Sequence, residues 1–134
     1  MIERMVHIDK LLKPKKVLIL YGARRVGKTT LLKDFLSHSK LKYRIDSGDN
    51  IRIQHLFESQ DFTALSDYVE GYDLIAIDEA QQIGNIGMGV KILVDQNPSL
   101  RIIVTGLLHL IWVSLWANRL REEQRQWYCT PYLC

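Results

Sequence analysis

The sequence predicts an α/β fold in which a parallel β-sheet carries helices on both faces. Four short apolar runs are rich in β-branched residues and continuous rather than alternating, as in strands buried on both sides. Helical patterns separate these runs, and strand–helix–strand alternation is typical of a parallel sheet. Such sheets bind ligands at the carboxyl ends of their strands, and the polar motifs of this chain follow the predicted strands.

The predicted elements follow one another along the first 106 residues. The predicted strands are Val17–Tyr21, Tyr43–Asp46, Leu74–Asp78 and Ile102–Thr105. The predicted helices are Thr29–Ser39, Ile51–Glu58, Phe62–Glu70 and Val90–Gln96. Apolar residues recur at helical spacing in the first of these helices, and Pro98 ends the last one.

Length, composition and charge restrict the class of protein. The 134 residues suffice for one compact domain, and 47% hydrophobic with 25% charged residues is ordinary for a soluble globular protein. A net charge of +3 demands neither nucleic acid nor an anionic membrane as partner. The N-terminus lacks the apolar core of a secretory signal, and the longest apolar run, Leu107 to Trp116, is far shorter than the roughly 20 residues of a membrane span. We therefore expect a cytoplasmic protein without a membrane segment.

A glycine-rich loop follows the first predicted strand and precedes a predicted helix. It fits the pattern G-x-x-x-x-G-K-[ST], whose glycines let backbone N–H groups surround an anion at a helix N-terminus. Lys28 would reach the β- and γ-phosphates, and the Thr29 hydroxyl would coordinate Mg²⁺. We expect a nucleoside triphosphate to bind here, the alternative being a chance match in a basic, solvated loop. The expected binding residues are Gly22, Ala23, Arg24, Arg25, Val26, Gly27, Lys28, Thr29 and Thr30.

Polar residues also end the third and fourth predicted strands. Asp78 would hold Mg²⁺, usually through water, and Glu79 would orient and deprotonate the attacking water, although a solvated turn is the alternative for this pair. Gln81 is either a polar relay to the γ-phosphate or a surface glutamine. Thr105 is a candidate to contact the attacking water or the γ-phosphate, although threonine is also common at strand ends for local reasons. Lys28, Glu79 and Thr105 are thus the candidate catalytic residues, and Thr29 and Asp78 the candidate metal ligands.

Together these segments resemble bacterial and archaeal ATPases of the AAA superfamily. The resemblance covers residues 1–106 and rests on the stretches "KKVLILYGARRVGKTTLLKDFL", "YRIDSGD", "YDLIAIDEAQQI" and "RIIVTG". It implies a P-loop three-layer sandwich with strand order 5-1-4-3-2, ATP and Mg²⁺ as ligands, and Glu79 as the hydrolytic base. Members of the family carry a further C-terminal domain and have suggested links to DNA transactions. DNA or a protein, contacted through a C-terminal domain that this sequence lacks, is therefore a candidate client, and the resemblance implies no particular oligomer.

After Gly106 the sequence departs from this pattern. Both cysteines and all three tryptophans fall in residues 107–134, which we treat as an atypical tail beside a core of residues 1–106. When the reading frame is moved back by one nucleotide, Trp112-Val113 and Trp116-Ala117 must each give glycine. Permitted codons elsewhere give the serines, the G-R pair and the P-hydrophobic-S stretch that the family pattern has. We infer a one-nucleotide deletion in the gene near Gly106.

This hypothesis has structural consequences. The sheet would lack its fifth strand, so the strand Val17–Tyr21, which precedes the phosphate loop, would be an exposed edge strand. ATP hydrolysis would be impaired. The alternative is a genuine amphipathic helix from Leu107 to Glu123, in a non-hydrolysing nucleotide-binding module whose apolar tail binds a partner. A nucleic-acid-binding adaptor is a second alternative, supported only by the mild positive charge.

Overall fold

A computed structural model of the chain describes residues 14, 16–21, 28–84, 86–106 and 125–129. The strands among them are β1 (Val17–Tyr21), β2 (Tyr43–Ser47), β3 (Leu74–Asp78), β4 (Arg101–Gly106) and β5 (Arg125–Cys129). The α-helices are α1 (Lys28–His38), α2 (Ile51–Ser59), α3 (Phe62–Val69) and α4 (Ile86–Gln96), and a 3₁₀ turn spans Ala80–Gln82. Within these ranges no helix has the length and apolarity that crossing a bilayer requires.

The five strands form one sheet in the order β2-β3-β4-β1-β5, and every neighbouring pair is parallel. Read from its other edge, this is the order 5-1-4-3-2 that the resemblance implies. The first four strands agree with the predicted ones to within one residue at each end. The predicted α/β architecture with a parallel sheet is therefore confirmed.

The fifth strand is a correction to the sequence analysis. β5 pairs with β1, with Val17 opposite Arg125 and Tyr21 opposite Cys129. The expectation of a missing strand was wrong, and β1 lies inside the sheet rather than at its edge. Strand pairing uses main-chain N–H and C=O groups, so an altered side-chain sequence does not prevent it. The alternative helix over residues 107–123 lies outside the described residues, and the frame hypothesis, which concerns the gene, stays a prediction.

The sheet separates two apolar layers. On one face α1 packs against side chains of β1, β3 and β4, and on the other face α2, α3 and α4 pack against the alternate residues of the same strands. The first layer contains Leu18, Leu20, Leu32, Phe35, Leu36, Leu74, Ala76 and Ile103. The second contains, among others, Ile19, Phe57, Leu65, Tyr68, Ile75, Ile77, Val90, Leu93 and Val104. Because alternate residues of a strand point to opposite faces of the sheet, the same pattern determines which side chains at the strand ends lie on the same face.

Helix α4 begins at Ile86, four residues before the predicted start at Val90. Gly87 and Gly89 are weak helix formers, which is why the sequence pattern did not indicate this first turn. A close helix crossing requires Gly89, because a Cβ atom there would lie 2.3 Å from Cδ1 of Phe57 in α2. Tertiary packing therefore outweighs local propensity at this helix end.

Candidate functional site

Polar residues of adjacent strands lie in one row at the carboxyl edge of the sheet. Ser47 of β2 is paired with Asp78 of β3, and the pairing of Ile77 with Val104 brings the next residues, Asp78 and Thr105, side by side. Thr105 in turn is paired with Leu20 of β1. Since residue 22 follows β1 directly, the row lies beside the start of the glycine-rich loop. The carboxyl edge of a parallel sheet is where such folds bind ligands.

Asp78 and Thr105 lie on the face that α1 covers. Leu74 and Ala76 of β3 belong to the apolar layer under α1, and Asp78 is the next residue of that alternation. Ile103 of β4 places Thr105 in the same way. Both side chains therefore share the face of α1, the helix that begins at residue 28.

Three hydrogen bonds join Asp78, Glu79 and Thr105. The Thr105 hydroxyl, which is fully buried, donates to Oδ1 of Asp78. The backbone N–H of Glu79 is shared between Oδ1 of Asp78, at 3.1 Å, and Oγ1 of Thr105, at 3.2 Å. The hydroxyl thus both donates and accepts, as buried hydroxyl groups require. These bonds orient the Asp78 carboxylate and fix the backbone at Glu79.

Glu79 has a left-handed backbone conformation, with φ 53° and ψ 45°. For a residue with a Cβ atom this conformation costs about 1 kcal/mol or more, and such strain concentrates at functional sites. The loop after β2 comes very close here, because Gly48 donates its N–H to the Asp78 carbonyl oxygen at 2.7 Å. A Cβ atom on Gly48 would lie 2.1 Å from the Glu79 carbonyl oxygen. The ends of β2 and β3 therefore constrain each other.

Gln81 contacts the Glu79 carboxylate. Its Nε2 donates to Oε2 of Glu79 at 2.6 Å. Its Oε1 is buried and has no hydrogen-bond donor among the residues that the structure describes. The interpretation of Gln81 as a surface glutamine, which the sequence left open, does not fit a half-buried side chain bound to the candidate base.

The residues of the glycine-rich loop are partly outside the described part of the chain. Those outside are Gly22, Ala23, Arg24, Arg25, Val26 and Gly27. Lys28 and Thr29 form the first turn of α1, although their side chains are not described, and Thr30 is exposed in the same turn. The strand–loop–helix order that the motif requires is present, since β1 ends at Tyr21 and α1 begins at Lys28.

The donor atoms at this edge fit Mg²⁺. Magnesium takes oxygen ligands, typically one or two carboxylates together with substrate phosphates and water. Asp78 supplies a carboxylate that Thr105 and Glu79 hold in place. Thr29, the other expected ligand, is in the first turn of α1, and its side chain is outside the described part of the chain. Clusters of three or more His, Cys, Asp or Glu side chains suited to a metal are absent from the described residues. A site completed by nucleotide phosphates does not need such a cluster.

A second polar cluster, which the sequence analysis missed, lies on the opposite face of β2. Tyr68 of α3 donates its hydroxyl to Oδ2 of Asp46 at 2.5 Å, and Nε of Arg44 donates to the same oxygen at 2.8 Å. The Arg44 guanidinium lies over the Tyr68 ring, 4.4 Å from its centroid. Burial raises the pKa of the Tyr68 phenol strongly, and the hydrogen bond to Asp46 adds to the shift. The i, i+2 spacing of Arg44 and Asp46 on one strand face was the available sequence signal.

Comparison with models of protein families shows to which family the chain belongs. A family model described as AAA domain matches residues 14–132, most of the chain. The chain belongs to this AAA domain family. The match extends past Gly106 and includes β5. A search of curated proteins finds no match.

Several solved structures share the fold. A DNA replication initiation factor matches with a TM-score of 0.61 at 16% identity, covering 95% of this chain and 44% of its own. The replication initiator DnaA bound to AMPPCP and single-stranded DNA matches with 0.60 at 16% identity, over the same shares of both chains. The P-loop NTPase domain of a sigma-54 transport activator from E. coli matches with 0.52 at 14% identity, covering 96% of this chain and 94% of that one. At these identities the likeness establishes the P-loop NTPase fold. This AAA domain chain spans less than half the length of the replication initiators.

Proposed function

We propose that this AAA domain binds ATP with Mg²⁺ and hydrolyses it. The observation that carries the proposal is the hydrogen-bonded group of Asp78, Glu79 and Thr105 at the carboxyl edge of the sheet, beside the start of the glycine-rich loop. Carboxylates placed next to a phosphate-binding loop serve to hold a metal ion and to activate water. DnaA, which has the same fold, was solved with the ATP analogue AMPPCP, and this supports a nucleotide as ligand.

The phosphate groups would lie against the glycine-rich loop and the first turn of α1. The positive end of the α1 dipole favours an anion there, backbone N–H groups of the glycine-rich loop would surround it as its sequence motif implies, and Lys28 would approach the β- and γ-phosphates. Thr29 and Asp78 would hold the magnesium ion, which neutralises phosphate charge when bound. The hydrogen bonds from Thr105 and the Glu79 amide orient Asp78 for this role in advance.

In hydrolysis Glu79 acts as the general base. A water oxygen forms a bond to the γ-phosphorus while the bond from that phosphorus to the β,γ-bridging oxygen breaks, and ADP leaves with the bond's electron pair. The proton lost by the water goes to the Glu79 carboxylate. The Thr105 hydroxyl donates to the Asp78 carboxylate and accepts from the backbone N–H of Glu79, so it would hold the carboxylate of Asp78 and the backbone of Glu79 in place for this reaction.

We expect turnover to be slow. After Gly106 the chain departs from the sequence pattern of the family that it resembles. The arginine of the G-R pair in that pattern has no counterpart in this amino-acid sequence. An arginine that stabilises the transition state contributes about 10³-fold or more to turnover. The presence of β5 removes the other reason for impairment, because β1 is paired on both sides.

Clients and gene structure complete the proposal. The structure of DnaA with single-stranded DNA supports DNA as a candidate client, and a protein is the other candidate. We also propose that the protein is cytoplasmic. We further propose that residues 1–106 form the ATPase core, to which β5 adds an edge strand, and that residues 107–134 are read out of frame. Sequencing the gene and its downstream region tests this. A continuation of the family pattern in another frame would support the proposal, whereas a stop in every frame would contradict it.

The test of the enzyme is Glu79→Gln, which keeps the shape of the side chain and removes the base. We expect turnover of ATP to fall about 10²- to 10⁴-fold while the affinity for ATP stays within about twofold. Glu70→Gln, at the exposed end of α3, is the matched control and should change neither quantity. Negligible turnover that is the same in both variants and wild type, with ATP still bound, would favour the non-hydrolysing module. Loss of ATP binding in the wild-type protein would contradict the proposal as a whole.

A further inference from the structure

Among the residues that the structure describes, the side-chain amide of Gln81 has a partner at one end and none at the other. Its Nε2 donates to Oε2 of Glu79 at 2.6 Å. Its Oε1 is buried without a donor in the described part of the chain. Buried polar atoms nearly always have a partner, and an exception at a candidate site calls for a ligand or a bound water that completes it.

The amide has only one orientation that suits its neighbour. An ionised carboxylate accepts hydrogen bonds and donates none, so the NH₂ end of Gln81 must face Glu79 and the carbonyl end must face away. The acceptor at Oε1 is therefore a direct result of the bond to Glu79. It requires a donor, and a water molecule has two.

The backbone keeps the two side chains in this relation. Gln81 lies in the 3₁₀ turn Ala80–Gln82, which begins directly after Glu79. Within it the Gln82 N–H donates to the Glu79 carbonyl oxygen at 3.1 Å. The buried side chains of Ala80 and Ile83 anchor both ends of the turn in the core. Gln81 is thus attached to a fixed support two residues from Glu79.

We propose that Gln81 is a positioning residue for ATP hydrolysis, which holds the Glu79 carboxylate through Nε2 and accepts the second hydrogen bond of the attacking water at Oε1. The water then donates one hydrogen to Glu79 and the other to Gln81, and its lone pair is directed at the γ-phosphorus. The proton balance is unchanged, since Glu79 takes the proton and Gln81 takes none. This inference rests on the proposed hydrolytic function and adds a determinant of water orientation to it.

Gln81→Leu tests the proposal, with Gln82→Leu as the matched control. Leu removes both ends of the amide at similar size, and Gln82 is the exposed neighbour in the same turn. Calorimetry measures the affinity for ADP alone and for ADP with aluminium fluoride, which imitates the γ-phosphoryl group with its attacking water and needs no turnover. We expect Gln81→Leu to weaken the fluoroaluminate complex about 10- to 100-fold, with ADP affinity within about twofold. Gln82→Leu should change neither.

Coupling to Glu79 separates this role from a purely structural one. In a Glu79→Gln background, Gln81→Leu should lower turnover no further, because Gln81 acts through the carboxylate and its water. Melting temperatures show whether the variants are folded. If Gln81→Leu does not fold, Gln81→Glu is the second variant, because it keeps the shape of the side chain. It replaces the Nε2 donor, 2.6 Å from Oε2 of Glu79, by an acceptor and should weaken the fluoroaluminate complex equally.

Three results would overturn the inference. One is equal loss of ADP and fluoroaluminate binding in Gln81→Leu, which would indicate a structural role. Another is faster turnover in that variant, which would show that Gln81 restrains Glu79. The third is a wild-type protein whose affinity for ADP does not rise when aluminium fluoride is added. This result would overturn the inference while nucleotide binding itself stays confirmed. Wild-type protein that binds no nucleotide would instead contradict the proposed function, and the inference with it.

Discussion

Two aspartates near the ends of neighbouring strands accept a hydroxyl hydrogen bond and differ in almost everything else. Asp46 in β2 faces α3 and receives the Tyr68 hydroxyl, whereas Asp78 in β3 faces α1 and receives the Thr105 hydroxyl. The members of the Asp46 cluster bind one another, because Nε of Arg44 and the Tyr68 hydroxyl both donate to Oδ2 of Asp46 and the Arg44 guanidinium lies over the Tyr68 ring. It consists of a charge, its counter-charge and a phenol.

The surroundings of Asp78, in contrast, include a strained backbone and a buried polar atom without a described partner. The next residue, Glu79, has a left-handed backbone, and the amide oxygen of Gln81 is buried without a described partner. Proteins retain strain and unsatisfied polar atoms where a ligand completes the arrangement. The comparison therefore indicates that the Asp46 cluster stabilises the fold, and it supports the proposal that the Asp78 group binds and activates a substrate.

The same substitution at both aspartates gives the largest expected difference. Asp78→Asn keeps an oxygen acceptor for Thr105 and removes the charge proposed to hold magnesium. Mg²⁺-dependent ATP turnover should therefore fall about 10³-fold, since a metal ion contributes several kcal/mol of charge stabilisation. Asp46→Asn should leave turnover per folded molecule within about twofold and lower the melting temperature. Steady-state kinetics and thermal melts measure both. A comparable loss of turnover in Asp46→Asn would remove the distinction.

Gly48→Ala should affect both clusters, because Gly48 joins the end of β2 to the backbone of Glu79. The new Cβ atom would lie 2.1 Å from the Glu79 carbonyl oxygen, and backbone atoms cannot move aside as a flexible side chain can. We expect a loss of about 3 kcal/mol in the free energy of unfolding, measured with urea, together with reduced turnover. Gly84→Ala is the control, since its Cβ atom would meet only the end of the Glu58 side chain, at 3.0 Å. Similar stability of the two variants would contradict a tight contact at Gly48.

The close contact at Gly48 illustrates what the sequence alone does not reveal. The strands β1 to β4 were predictable because buried parallel strands are continuous apolar runs, and the positions of Asp78 and Thr105 at strand ends followed directly. The left-handed conformation of Glu79 was not predictable, because it depends on the close approach of the β2 and β3 ends. The partner of Gln81 was likewise left open, since a glutamine in a polar segment fits a surface position equally well.

The tail shows a different reason for failure. The composition break after Gly106 and the shifted-frame pattern favoured a lost strand, yet Arg125–Cys129 pairs with β1. Aromatic residues favour strands, and Trp127-Tyr128 was the local signal for β5. A parallel partner at the edge of β1 needs a suitable backbone more than a particular set of side chains. Departure from a family pattern therefore did not imply departure from the family topology.

Tyr68→Phe should destabilise the fold moderately and leave the Asp78 group unaffected. The change removes the hydroxyl that donates to Asp46 and keeps the ring that packs edge-on against Phe57, with centroids 5.9 Å apart. A hydrogen bond to a charged group contributes about 2 kcal/mol, and Arg44 continues to hold Asp46. Urea unfolding measures the loss, with Tyr43→Phe at an exposed position of β2 as the control. A change in turnover beyond about twofold would show that the two clusters are coupled.

The smallest expected effect is a change in stability at alkaline pH. Burial raises the pKa of Tyr68 well above its ordinary value of 10.0, with the hydrogen bond to Asp46 adding to the shift, so the folded protein keeps the phenol proton that the unfolded chain loses. This contribution is fully present below about pH 10 and is lost as the pH rises above it, by about 1 kcal/mol at pH 11. The difference in unfolding free energy between wild type and Tyr68→Phe should therefore narrow between pH 9 and pH 11. Parallel curves over that range would show that the Tyr68 phenol ionises equally easily in the folded and unfolded chain.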